Sequence, residues 1–300
     1  MSGVANALRK RLGRVGIWSW APAGLPAAEV REAVSEIEAL GFPAIWYPEA
    51  VGRESFSAAG LLLSSSERIA VCSGIASIYA RDATAMMNGA RALGEAYPGR
   101  FVLGIGVSHK PPVTGRGHDY LPPVPTMRAY LDAMEAAQYV GPEPPEPVPV
   151  MLAALGPLML KLAAERTSGA HPYFTTVEHT ALARERLGPG PVLAPEVGVV
   201  LAGDRDAARE TAAGYTSFYL GAENYRNHLL RLGFTEDDLE GEGSDRLFDA
   251  VVIWGDVDTV QARVKEHLDA GADHVGVQVV PSGSFHLETI RELAPALLEL

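Results

Sequence analysis

Glu67-Arg-Ile-Ala-Val-Cys-Ser-Gly-Ile-Ala-Ser77 and Pro98-Gly-Arg-Phe-Val-Leu-Gly-Ile-Gly-Val-Ser-His109 decide the fold. Each is an apolar run that ends in small and polar residues, and one helix-length segment separates them. That is the layout of consecutive units of a parallel α/β barrel. Small residues at a strand's end let a flat ligand lie against bare backbone. Barrel enzymes carry their chemistry at the carboxyl ends of their strands.

Working outward, strand and helix signals alternate along the whole chain. Strands are expected at 14–20, 44–49, 68–77, 100–107, 150–155, 170–175, 194–202 and 273–280. In the first intervening helix, Val30, Ala33, Val34, Ile37 and Leu40 share one face and Gly41 stands ready to cap the C-terminus. In the last helix, Leu287, Ile290, Leu293, Leu297 and Leu298 share another. Residues 109–124 hold four prolines and two glycines, which predicts an irregular surface loop over the barrel mouth. Residues 204–254 hold too many helical signals for one crossover and predict an excursion. Eight strands with intervening helices make a (β/α)8 TIM barrel, an α/β fold, here a single unit over residues 1–300 with an insertion at about 219–250, before the last strand. A doubly wound open sheet is disfavoured because no GxGxxG follows the first strand.

Composition narrows the partners. The chain has 47% hydrophobic and 21% charged residues and a net charge of −12, which allows a large core and disfavours binding to nucleic acid or anionic membrane. No apolar run is long enough for a transmembrane span. The first segments do not read as a signal peptide, so a cytoplasmic location is expected. The single cysteine, Cys72, lies inside an apolar strand and reads as a buried structural thiol. No metal-ligand spacing occurs among the eight histidines, and no GxSxG elbow is present.

The candidate site residues follow from strand ends. Glu49 closes the second strand, where a carboxylate can accept a hydrogen bond from a heterocycle or a ligand hydroxyl; a favourable charge at a helix start is the other reading. His109 follows the fourth strand, within reach of the mouth. His171 and His274 read as structural histidines within strands, and His118 as a solvated loop residue. Trp18, Trp20, Trp46, Tyr47 and Tyr79 cluster at the same rim and read largely as pocket wall, because a small barrel has little room for Trp. Gly104 and Gly106 would let a ring or phosphate chain approach the backbone, while Gly74 marks a bulge, with or without a ligand against it. Gly156-Pro157 and Thr175-Thr176 precede helices and offer amides and hydroxyls for either a phosphate or ordinary capping.

These residues also carry a likeness. The phrases Ala39-Leu-Gly-Phe-Pro-Ala-Ile-Trp-Tyr-Pro-Glu-Ala50, Gly99-Arg-Phe-Val-Leu-Gly-Ile-Gly106, Val148-Pro-Val-Met-Leu-Ala-Ala154 and Ala270-Gly-Ala-Asp-His-Val275 resemble the luciferase-like monooxygenase superfamily. Tyr47-Pro-Glu-Ala50, Asn224-Tyr225 and Arg231-Leu-Gly-Phe234 resemble its actinobacterial branch of F420-dependent oxidoreductases. The resemblance implies a TIM barrel, usually a homodimer, that uses coenzyme F420 for hydride transfer to a small organic substrate. An FMN-dependent monooxygenase or a cofactor-free ligand-binding barrel on the same fold are the alternatives. It implies a non-prolyl cis peptide at Gly74-Ile75. Catalytic roles would fall to His109 and Glu49, and the cofactor would contact Trp46, Glu49, Ser73, Gly74, Ile75, Val107 and Ser108. Its phosphate would meet Ala153, Ala154, Leu155, Gly156, Thr175 and Thr176. Trp18, Trp20, Tyr47 and Tyr79 would face substrate, and no metal is implied. Many relatives carry Asp-His or Glu-His where this chain has Glu49-Ala50, so the proton must come from elsewhere.

Overall fold

The structure, a computed structural model, describes residues 2–300; Met1, the first residue of the expected 1–300 unit, lies outside the described residues. Its strands are β1 Val15–Trp18, β2 Ala44–Tyr47, β3 Ala70–Ser73, β4 Ala76–Ser77, β5 Phe101–Gly106 and β6 Val150–Leu152. They continue with β7 Gly169–Ala170, β8 Val192–Leu193, β9 Glu196–Leu201, β10 Val252–Gly255 and β11 Val275–Val279. All pairings are parallel, and ten strands follow the order β10-β9-β11-β1-β2-β3-β5-β6-β7-β8, with β4 on β5. This is a curled parallel α/β sheet with helices packed outside it. The chain between β8 and β9 serves both flanks: Ala194 N–H donates to Ala170 O, while Gly276 N–H donates to Pro195 O.

All eight expected strand positions hold strand, each shorter than its apolar run, because the terminal residues turn away to form the rim. The sequence reading missed β10 and the two-residue β8, which lies just before the expected 194–202 run. Val252–Gly255 follows helix Asp245–Val251 with no turn residue between them, so its apolar run merges with the helical pattern. The 109–124 stretch also departs from a plain loop. Lys110–Gly115 is a short helix and Pro123 opens helix Pro123–Glu135, since proline in a first turn forfeits no intrahelical bond.

The sheet separates two apolar compartments. Outside it, the helix faces meet the outward strand residues; Val30, Ala33, Val34 and Ile37 of helix Ala27–Leu40 are all buried there, and Gly41 ends that helix with φ 104°. Inside the curl lie Trp18, Trp46, Cys72, Val102, Met151 and Val192, closed at the strands' N-terminal end by Ala5, Leu8 and Leu12 of helix Ser2–Leu12. The basic N-terminal stretch is therefore a structural plug. Its Arg9 pairs with Asp273 at 2.8 Å, and Arg184 meets the other oxygen of that carboxylate at 2.6 Å.

The interior is polar in a specific way. The Trp18 indole donates to His171 Nε2 at 3.2 Å and the Trp46 indole to His274 Nε2 at 3.0 Å. An indole N–H can only donate, so both imidazoles accept at Nε2 and carry their proton on Nδ1. That proton goes to Ala194 O from His171 and to Gly13 O from His274. Burial pushes both histidines down to about 4, so they are neutral at ordinary pH. The structural reading of these two histidines holds. That of Trp18 and Trp46 as pocket wall does not: both are fully buried, and His171 and His274 supply the partners that let indoles fill a narrow sheet.

Candidate active site at the C-terminal mouth

The rim is organised by a break in the third strand. β3 ends at Ser73, β4 starts at Ala76, and the Gly74-Ile75 peptide between them is cis, as the resemblance implied. A Cβ on Gly74 would stand 2.8 Å from Trp18 Nε1 and 2.9 Å from His171 Nε2, so the backbone lies directly on that buried pair. The glycines of β5 serve the same break. A Cβ on Gly104 would stand 2.0 Å from Ser73 O, and one on Gly106 2.8 Å from Ile75 Cδ1. These glycines make room for the neighbouring strand, which corrects their reading as a landing for a ring or phosphate. Ser73 is likewise committed: its buried hydroxyl donates to Gly104 O and accepts from Gly104 N–H, both at 2.9 Å.

Glu49 holds the break from the other side. Its N–H donates to Ile75 O, and its carboxylate accepts from Ser77 N–H at 2.8 Å and Ser55 N–H at 3.0 Å. The Arg81 guanidinium grips both of its oxygens, with a contact of 3.0 Å to one of them. The Glu49 side chain is only 4% exposed. With every lone pair engaged it anchors the rim, and the expectation that it reacts with or orients a ligand is corrected. Tyr47 is corrected for a different reason. It points outward, fully buried, with its hydroxyl donating to Ser55 O. Tyr79 accepts Leu121 N–H and packs on Tyr120, pinning the 118–121 segment to the rim.

What remains partly exposed at the strand ends is Trp20, Ile75, Val107, Ser108, His109, Ala153, Leu155 and Tyr173. Ala153 and Ile75 both crowd Gly106, which places the ends of β3, β5 and β6 together. Ser108 takes a left-handed φ of 57°, a turn that sends the chain from β5 into His109. His109 precedes helix Lys110–Gly115 and packs on Tyr225, ring centroids 5.6 Å apart. Burial lowers its pKa from the ordinary imidazole value, with the Asn224 side chain acting the other way, so the imidazole is neutral at pH 7.

Residues that strand-end reasoning did not select complete the wall. Tyr173 follows β7, Tyr219 ends helix Arg205–Leu220, and Tyr225 comes from helix Glu223–Arg231. Their rings lie 5.0 to 6.4 Å apart. Tyr219 donates to the Tyr173 hydroxyl, which donates to Gln278 Oε1, both at 2.7 Å. Behind them Glu196, fully buried, accepts from Phe174 N–H and Tyr215 O–H, and burial raises its pKa to about 8. Tyr173 was within reach of sequence reasoning, because it closes the apolar run after His171-Pro172.

The helix starts beyond the mouth differ. Gly156 begins helix Pro157–Arg166 with no side-chain cap, and a Cβ there would meet nothing within 4 Å. Thr176 caps helix Val177–Leu187 by accepting His179 N–H, and the Thr175 hydroxyl is paired with His228. Both threonines and Ala154 are buried, which corrects their assignment as open phosphate contacts. Among the described residues no cluster of His, Cys, Asp or Glu is arranged to hold a metal, and no helix is long and apolar enough to cross a membrane.

Comparison with known proteins agrees with this architecture. Residues 13–274 match the luciferase-like monooxygenase family. A Mycobacterium tuberculosis protein named as a coenzyme F420-dependent oxidoreductase is 26% identical, with 94% of this chain and 96% of that one aligned. The F420-dependent tetrahydromethanopterin reductase of Methanopyrus kandleri superposes with a TM-score of 0.72 at 17% identity, covering 95% of this chain and all of that one. The EDTA monooxygenase of Chelativorans sp. superposes with a TM-score of 0.73 at 13% identity, covering 96% and 94%. The chain belongs to the luciferase-like monooxygenase family.

Proposed function

Proceeding from that membership, we propose that this protein is an F420-dependent oxidoreductase acting on a small organic substrate at the mouth of a closed (β/α)8 barrel. The observation that carries the reading is the open strip formed by Ile75, Val107, Ser108 and Ala153 beside the uncapped helix start at Gly156. Its character would suit a flat tricyclic ring with a phosphate tail. A flat ring would meet small and aliphatic surface, and its phosphate would meet the first-turn amides after the open Gly156. Thr175 and Thr176 are not part of this cradle. When bound, the deazaflavin supplies or accepts the hydride at C5; the protein's share is orientation and proton handling.

His109 handles the proton. Neutral at pH 7, it can take a hydroxyl proton as the substrate carbon loses hydride and return it in reverse. The Tyr225 ring packs beside it. Glu49 supports this only indirectly, by fixing the chain that carries Ile75. The F420-named relative from M. tuberculosis and the reductase from M. kandleri support the choice of cofactor.

A second reading, an FMN-dependent monooxygenase, is favoured by the equal likeness to the EDTA monooxygenase fold. Spectral titration of purified protein separates them. Saturable binding of F420 and none of FMN is the expected result; FMN binding with oxygen uptake supports the second reading. Binding of neither leaves a cofactor-free barrel.

A further inference from the structure

Behind the mouth, three helices meet through histidines. His179 of helix Val177–Leu187, His228 of helix Glu223–Arg231 and His267 of helix Val257–Asp269 are all buried. The His179 and His228 rings meet edge to face, centroids 4.5 Å apart. His179 Nε2 lies 3.0 Å from Leu155 O, which can only accept, so the proton sits on Nε2 and Nδ1 is bare. That Nδ1 is buried and has no partner, so a second proton there would meet no acceptor. His228 Nε2 meets the Thr175 hydroxyl at 3.2 Å, and His267 Nδ1 meets the Thr180 hydroxyl at 2.9 Å. Three charged groups face the cluster. Arg231 lies one turn beyond His228 on the same helix and acts on His228 and His179. Arg263, paired with Glu266, and Glu178 both act on His267, in opposite directions.

The three helices are not held equally. Helix Val177–Leu187 packs against helices Pro157–Arg166 and Val257–Asp269 on the barrel wall. Helix Glu223–Arg231 has nine residues, too few to persist undocked, and buries only Tyr225, His228 and Leu229. Its Arg226 pairs with Glu236 and donates to Leu239 O, bonds that tie it to the excursion rather than to the barrel. Gly233 follows it at φ 91°. Its polar and aromatic holds on the barrel are two: His228 on Thr175 and His179, and Tyr225 on His109 and Phe174, ring centroids 5.6 and 5.7 Å apart. Loss of the first hold leaves the second alone to keep His109 covered.

We propose that helix Glu223–Arg231 is an acid-released flap: a proton taken up by His179 or His228 separates it from helix Val177–Leu187 while the barrel stays folded, and so uncovers His109. An imidazolium at either ring would stand edge to face with its neighbour, beside Arg231, in a site with no buried acceptor for the new proton. Moving the flap lets water reach both rings. With the flap closed, burial holds His179 down to about 4 and His228 to about 3; with it open, both return toward 6.5. The closed state is therefore fully stabilised above pH 6.5 and loses stability as pH falls toward 4. The opening constant rises about tenfold per pH unit below 6.5 for each histidine released. The inference does not depend on which cofactor the mouth takes.

The test is amide hydrogen exchange by mass spectrometry on the full chain, corrected for intrinsic rates, at pH 7 and pH 5 with and without low urea. Peptides spanning residues 221–233 are expected to show an opening constant at least about tenfold larger at pH 5. That opening should be nearly insensitive to urea, because a local release exposes little surface, whereas peptides of β1 and β2 should respond steeply to urea. His228→Gln keeps a partner for Thr175 without titrating, and should reduce the pH effect. The double variant His179→Gln/His228→Gln should abolish it. An unchanged opening constant between pH 7 and 5 overturns the proposal. So does a urea response at 221–233 equal to that of the strands, which would make the acid effect global unfolding. A full pH effect in the double variant overturns it as well. Should the double variant fail to fold, the wild-type urea response still decides.

Discussion

The Glu196 carboxyl group accepts the amide N–H of Phe174 at 3.1 Å. Phe174 sits at a left-handed φ of 51°, so this bond holds the turn that aims Tyr173 into the mouth and starts the run to the Thr176 cap. With its pKa raised to about 8 by burial, Glu196 is protonated in the folded chain and ionised in the unfolded one between the ordinary carboxylate range and pH 8. The folded state binds the extra proton, so the stabilisation is complete at low pH and is lost as pH rises toward 8. Glu196→Gln should therefore gain on wild type in melting temperature as pH is raised from 5 to 8.5. A constant difference across that range would contradict the buried neutral carboxyl.

The buried histidines act in the opposite direction. His171, His179, His267 and His274 are pushed down to about 4 and His228 to about 3, chiefly by burial. Their folded pKa lies below the unfolded value near 6.5, so stability is complete above that value and falls as pH drops toward 4. Denaturant titrations should show a steep loss between pH 6.5 and 4. Trp46→Phe, which orphans His274 Nε2, should lower stability by about 1–3 kcal/mol at pH 7.

Glu49→Gln tests anchoring against catalysis. Breaking a buried, hydrogen-bonded ion pair from one side costs about 3–5 kcal/mol, so Glu49→Gln and Arg81→Ala should both melt well below wild type. Their double mutant should cost much less than the sum. A Glu49→Gln protein with unchanged melting behaviour and selectively lost turnover would return Glu49 to the chemistry.

Gly104→Ala should fail to fold or melt at least 10 °C lower, because no side chain need move for the clash with Ser73 O to be felt. A well-folded Gly104→Ala protein with weakened cofactor binding would mean that this glycine faces a ligand after all.

His109→Ala should lower F420-linked turnover about 10²- to 10⁴-fold, the usual worth of a positioned acid–base group, with cofactor binding changed far less. Undiminished turnover in stopped-flow assays would remove His109 from proton transfer.

Much of this molecule is readable before any coordinates. Apolar runs ending in small residues locate every strand but β8 and β10, and Gly41 and Thr176 cap their helices where their types predict. The site is less readable because its roles depend on partners far along the chain. Glu49 at a strand end looks available until Arg81, 32 residues on, closes over it. Trp46 looks too large for the interior until His274, 228 residues on, is found to receive its N–H. Gly104 looks like a ligand's landing until Ser73 is seen to lie against it. Tyr219 and Tyr225 sit on helices of the excursion, whose docking onto the mouth no local pattern encodes.

The two indole–imidazole pairs inside the sheet bear on how this scaffold can change over generations. An aliphatic barrel interior drifts by small volume exchanges, each tolerated alone. Here a replacement at Trp18 strands His171, and one at Trp46 strands His274, so the interior can travel only by coordinated double steps. Variation is thereby channelled to the rim, where Trp20, Val107 and His109 hang from fixed points and can be exchanged one at a time. A library confined to those rim positions should yield folded, altered binders far more often than one of equal size drawn from the interior.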